Sequence, residues 1–201
     1  VDMDKNKFLQ AIKNYQETNK ITNSIGTLGE KSLHNILKCY LQPNDNLHEI
    51  KIGKNVADIF DGEKITEIQT RDFYPLNKKL EVFLPLYKVE IVYPVAKEKY
   101  ISWIDINSGD VTKKRKSTKS ATLCEILPQI YKIKDYAFHE NLSFRIVCIG
   151  AEEYRLLNGW SYDKKRGSHR FELVPIKLFD EVIISCNNDF SVFLKGFNNE
   201  E

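Results

Sequence analysis

The sequence predicts an α/β (α+β) fold in which helices pack against a mixed β-sheet. Three observations point there. The first half of the chain reads as helices, three short strands, a helix and two further strands, an alternation that builds a mixed sheet. The composition is that of an ordinary globular protein, with 42% of the 201 residues apolar and 29% charged. No stretch reaches the about 18 consecutive apolar residues a membrane helix needs, so no membrane partner is expected.

Taken in order, residues 4–18 carry Phe8, Leu9, Ile12 and Tyr15 at helical spacing. Asn23-Ser24-Ile25-Gly26-Thr27 is a break with capping side chains, and a second helix over 27–41 stops before Pro43. Strand-like segments follow at 47–52, 56–60 and 64–70, the last two joined by the turn Asp61-Gly62-Glu63-Lys64. Pro75 opens a third helix over 75–86, and 88–95 and 99–105 read as two buried strands. Residues 108–121 then hold five Lys/Arg, one acid and almost nothing apolar, as a solvated linker or a phosphate-contacting segment would. Beyond it come a short helix in LCEILPQIYKI, a strand and helix in LSFRIVCIGAEEYRLL, and short strands in HRFELVPIKL and EVIIS. The expected organisation is a core at 1–110, a basic linker at 111–121, a small C-terminal α+β domain at 122–195 and a disordered tail at 196–201.

Thirty basic and 28 acidic residues leave a net charge of +2, so any nucleic-acid-binding surface must be local. Cys39, Cys124, Cys148 and Cys186 do not fall at metal-ligand spacing and, with a polar N-terminus, read as reduced thiols in a cytoplasmic protein. Cys148, inside FRIVCIG, reads as a buried strand residue. The histidines form no HExxH, and GxGxxG, P-loop and GxSxG motifs are absent, which argues against zinc-protease, dinucleotide, P-loop and α/β-hydrolase chemistry.

Two placements of acidic residues stand out. In GTLGEKSLHNILKCYL, Glu30 extends the inward stripe of Leu33, Ile36, Leu37, Tyr40 and Leu41. An inward carboxylate is costly unless paired, metal-bound or at a wet edge, although a glutamate in a first helical turn is also favoured by the dipole. In the hairpin, a two-residue turn at Gly62-Glu63 sets Asp58 opposite Glu67. A turn at Asp61-Gly62 leaves them diagonal on the same face, and a three-residue turn separates them. Two facing carboxylates with Cβ atoms roughly 5 Å apart repel. Either a divalent cation neutralises them, oxygen-only ligands suiting Mg²⁺ or Mn²⁺ better than zinc, or the face is simply open to water.

Glu30 in a helix, Asp58, then Glu67-Ile68-Gln69 on the adjoining strand, then a helix and an apolar strand, resembles the PD-(D/E)XK nuclease superfamily over about residues 20–106, in particular archaeal-type Holliday-junction resolvases and restriction-endonuclease-like proteins. The resemblance implies a restriction-endonuclease-like mixed sheet flanked by helices and Mg²⁺- or Mn²⁺-dependent hydrolysis of DNA phosphodiesters. It implies that Asp58, Glu67 and the Ile68 carbonyl hold the metal, with Glu30 binding a second metal directly or through water. Gln69 stands where the family usually has lysine, and glutamine carries no charge and loses no proton at neutral pH, though it can orient a water. Lys51, Lys78 or Lys79 could supply the missing ammonium, or each could be ordinary surface charge.

Arg71, Lys78 and Lys79 beside this site, and Lys113, Lys114 and Arg115 in the basic segment, are candidate phosphate contacts. Lys164, Lys165, Arg166 and Arg170 cluster around Gly167 with Trp160 and Tyr162 nearby, either as a DNA-contacting hairpin tip like the wing of a winged helix or as a solvated turn. DNA is therefore the expected partner, and a homodimer is compatible with the fold although no interface is legible. The alternatives are a catalytically degenerate DNA-binding protein of the same fold and a protein-interaction domain without nucleic-acid activity.

Overall fold

A computed structural model describes residues 4–20, 31–105, 107–156 and 170–196. Seven strands form a mixed sheet of order β1-β2-β3-β4-β6-β7, with β5 pairing β4. The chain divides into two compact units, each assembled from separate segments: 1–40, 96–121 and 149–179 in one, 41–95, 122–148 and 180–201 in the other.

In the first unit, α1 (Lys5–Lys20) begins where the Asp4 carboxylate accepts a 2.9 Å hydrogen bond from the Lys7 amide. Its buried stripe is Phe8, Ala11 and Ile12, while Leu9, expected inward, is exposed because it lies a quarter-turn off that stripe. Helix α2 (Lys31–Leu41) buries Leu33, Ile36, Leu37 and Tyr40. Phe8 meets Tyr40 edge-on at 5.1 Å, and the Tyr15 hydroxyl lies 2.7 Å from Ser32 Oγ.

The expected linker at 111–121 is instead tied to the second half of β4 (Lys88–Ile104). Val111 bridges Ile104, and β5 (Arg115–Lys116) pairs with Ile101 and Tyr100. The acids that answer its charge lie on other strands, out of sight in a local reading. Lys114 bonds Glu152 at 2.7 Å and Lys116 bonds Glu98, while buried Glu153 takes Lys99 and Arg155. Glu152 and Glu153 belong to β6 (Leu142–Leu156), one continuous strand where a strand followed by a helix was expected. Gly150 is no break. An added Cβ there would meet Lys177 and Phe179 at 3.4 Å, so the glycine admits the neighbouring strand's side chains.

That neighbour, β7 (Arg170–Ile184), is also continuous where two strands were expected. It ends the strand order, and an edge strand tolerates Pro175. The two strands expected at 88–95 and 99–105 are likewise one, β4. Val92 accepts the Gln69 amide, so the backbone position two residues on, Pro94, faces the same side beyond the end of β3 and before β5 begins. No ladder partner there is lost to proline.

In the second unit, β1 (His48–Ile52), β2 (Asn55–Phe60) and β3 (Lys64–Ile68) form an antiparallel meander, and β4 runs parallel to β3. The β3–β4 crossover carries a 3₁₀ turn at Tyr74–Leu76 and α3 (Asn77–Phe83). Leu76, Leu80, Phe83 and Leu84 recur at i, i+4, i+7 and i+8 and are all buried. A 3₁₀ turn (Leu123–Ile126) leads into α4 (Leu127–Tyr131), which adds Ile126 and Ile130 to the buried residues. Cys148 is buried in β6, as expected. The segment 157–169, proposed as a wing, and most of the expected tail lie outside the described residues.

Candidate active site

The hairpin turn fixes the site. Ile59 pairs Thr66 and Phe60 pairs Ile65, the register of a two-residue turn at Gly62-Glu63. Gly62 takes a left-handed φ of 101°, and the Asp61 carboxylate accepts the Glu63 and Lys64 amides at 3.0 and 2.7 Å. The next step along this register brings Asp58 opposite Glu67. The Asp58 carboxylate accepts the Ile68 amide at 2.7 Å, which ties the two strands together beyond the last ladder pair.

Glu67 is 0% exposed, between Ile65 and Ile68 on a fully buried stretch of β3. Its partner comes from α3. Lys79 borders the buried stripe of that helix, and its stem carries Nζ across to Glu67 Oε2 at 2.8 Å and to the Val56 carbonyl at 2.7 Å. Glu67 Oε1 is buried with no hydrogen-bond partner among the described residues. Burial, and after it the charge of Asp58, push the Glu67 carboxyl up to about 7; Lys79 opposes this without reversing it.

The match of one family model decides what the chain is similar to: a domain of unknown function, DUF8091, aligns with residues 31–185. The chain belongs to the DUF8091 family. The match takes in Asp58, Glu67 and Lys79 and starts one residue after Glu30. An uncharacterized protein of Treponema pallidum (strain Nichols) is 32% identical over 151 residues, which is 74% of this chain and 57% of the relative. The chain thus spans little more than half of that relative's length. No solved structure matches the chain.

Within this DUF8091 chain, the other candidate residues distribute unevenly. Glu30 lies outside the described residues. Gln69 directly follows β3, with its backbone amide on the Val92 carbonyl at 2.9 Å and its side chain half-buried. Of the three lysines weighed as substitutes at Gln69, Lys79 reaches Glu67, while Lys51 and Lys78 are exposed on β1 and α3. Arg71 is exposed just past the site. Lys113, Lys114 and Arg115 are exposed in the other unit, with Lys114 committed to Glu152. Lys164, Lys165 and Arg166 lie outside the described residues, as does the side chain of Arg170.

Asp58 and Glu67 offer carboxylate oxygens and Ile68 a carbonyl, the donor type a hard cation takes, and among the described residues Glu67 Oε1 is buried without a hydrogen-bond partner. Among the described residues no group of three His, Cys, Asp or Glu forms at one point.

Sequence reasoning missed a second charged cluster. Arg145 on β6 holds Glu90 through two nitrogens at 3.1 and 3.2 Å and Glu181 at 3.2 Å, with Lys64 3.5 Å from Glu90. Glu90 pairs with Thr66, one step from Glu67, so this cluster occupies the opposite face of the sheet. The signal was legible: one acid inside KVEIVYPV and one arginine inside LSFRIVCIG.

Proposed function

We propose that this protein is a metal-dependent nuclease that hydrolyses DNA phosphodiester bonds at the Asp58–Glu67 site. The observation that carries the reading is the pairing of two carboxylates across a two-residue hairpin, one of them wholly buried with an oxygen that has no hydrogen-bond partner among the described residues. The element order supports it: acid-bearing hairpin, helix, then a strand parallel to β3, as the PD-(D/E)XK resemblance implies.

Asp58, Glu67 and the Ile68 carbonyl would hold Mg²⁺ or Mn²⁺. The cation supplies a Lewis acid that lowers the pKa of a coordinated water and offsets charge on the phosphate. The chain's own residues do the positioning. The Asp58 bond to the Ile68 amide fixes the carboxylate against β3. Gln69 orients a water through its amide without taking up its proton. Arg71 and Lys78, exposed beside the site, contact flanking phosphates.

The test is cleavage of linear, supercoiled and branched DNA with Mn²⁺ or Mg²⁺, using the full chain and two Asp58 variants. Asp58→Ala abolishes cleavage and, by stranding the Ile68 amide, lowers stability by about 1–3 kcal/mol. Asp58→Asn keeps an acceptor for that amide, so it holds stability closer to the parent while cleavage falls at least a hundredfold. Absence of metal-dependent cleavage in the parent on every substrate overturns the assignment. A second reading, a DNA-binding protein with a degenerate site, draws on Gln69 and on the Lys79–Glu67 pair, which balances the buried Glu67 without a metal. It expects salt-sensitive DNA affinity unchanged in Asp58→Ala.

A further inference from the structure

Resting on the metal site just proposed, we infer that Lys79 is the resident counter-ion of the Asp58–Glu67 pair and that a divalent cation binds by displacing it. Two facing carboxylates favour a positive neighbour, and among the described residues Lys79 Nζ supplies one, 2.8 Å from Glu67 Oε2. An ammonium on Oε2 and a doubly charged ion on the same buried carboxylate repel each other strongly, which favours the ammonium's departure. The lysine is built to yield. Its charge rides on a flexible four-carbon stem, so it leaves without moving α3.

The departing ammonium also has a place to go. Its second partner, the Val56 carbonyl at 2.7 Å, belongs to a residue 41% exposed, so the lysine is anchored at the wet rim of the site. Released from Glu67, it keeps that anchor and turns toward solvent, where a substrate phosphate would arrive. The positive charge missing at Gln69 is thereby delivered from another element, and only in the metal-loaded state. The metal-free site is held closed by its own side chain.

Two measurements on the full chain test this. In Mn²⁺ titrations followed by electron paramagnetic resonance, Lys79→Met binds Mn²⁺ at least tenfold more tightly than the parent, Lys79→Arg does not, and Glu67→Gln does not bind. In amine acetylation followed by mass spectrometry, saturating Mg²⁺ raises the Lys79 rate at least fivefold and leaves exposed Lys78 unchanged. The acetylation arm uses the unaltered chain and decides the matter if Lys79→Met fails to fold. Parent binding with unchanged affinity in folded Lys79→Met, or an unaltered Lys79 rate at saturating Mg²⁺, overturns the displacement and leaves the metal site standing. Absence of Mn²⁺ binding in both folded proteins overturns both.

Discussion

Glu67 is where sequence and physics pull hardest against each other. A carboxyl group removed from water prefers to be neutral, and the adjacent Asp58 charge adds to that preference, so its pKa rises from 4.5 to about 7. The folded state therefore keeps a proton that the unfolded chain releases between those values. The stability Glu67 contributes is full below about pH 4.5 and is lost as the pH rises to about 7, by up to roughly 3 kcal/mol. Urea denaturation of metal-free protein from pH 4 to 8 checks this, with Glu67→Gln expected to show a flatter decline than the parent. Glu172, which burial also raises to about 7, adds a slope of the same sign to both proteins, so the comparison isolates Glu67. Parallel curves for parent and variant would refute the assignment. Which acids face each other was legible from alternation and turn length. That Lys79 joins them was not singled out, because a helix's phase against a sheet is set by packing of Leu76, Leu80 and Phe83 rather than by spacing to Glu67.

At the scale of elements, the sequence located starts and turns well and lengths poorly. Of the hairpin registers considered, the two-residue turn at Gly62-Glu63 is the one observed, and Gly62 supplies its left-handed φ. The three long strands were divided in the reading. Pro94, Gly150 and Pro175 all sit inside them, and only the neighbouring strands reveal why each is tolerated. The basic segment shows the same limit. Lys114, just before β5, and Lys116 within it meet Glu152 and Glu98, whereas Lys113 and Arg115 have no ion-pair partner among the described residues. On the proposed DNA-binding reading, phosphate contact falls to Lys113 and Arg115. Lys113→Ala with Arg115→Ala is expected to reduce the slope of log affinity for duplex DNA against log salt by up to about 1.8, at about 0.9 per phosphate contact. Lys114→Ala with Lys116→Ala should change it less, because those charges are already neutralised. An equal change for both pairs would remove β5 as a selective DNA contact.

At the scale of the whole molecule, the sequential plan of a core at 1–110 followed by an accessory domain differs from how the buried residues are shared. The unit that holds Asp58 and Glu67 draws on 122–148 and 180–201 as well as 41–95. Beside β4 in the sheet order stands β6, and Ile126, Ile130, Phe144 and Ile146 are buried within that same unit. Arg145 reaches back to Glu90, whose carboxylate would otherwise be left in a buried position with Lys64 at 3.5 Å as its remaining ion-pair partner among the described residues. A fragment ending at residue 110 keeps every acid of the candidate site that lies in the described residues and loses the strand next to β4. It exposes one edge and one face of apolar surface that no residue of its own can cover. Such a fragment is expected to be unfolded or aggregated, with a collapsed amide spectrum and no cooperative thermal transition, and to lack Mn²⁺ binding even though Asp58 and Glu67 are present. A dispersed spectrum and a cooperative melt for 1–110 would show instead that the first half folds by itself and that the interleaving of segments contributes little to holding the two carboxylates together.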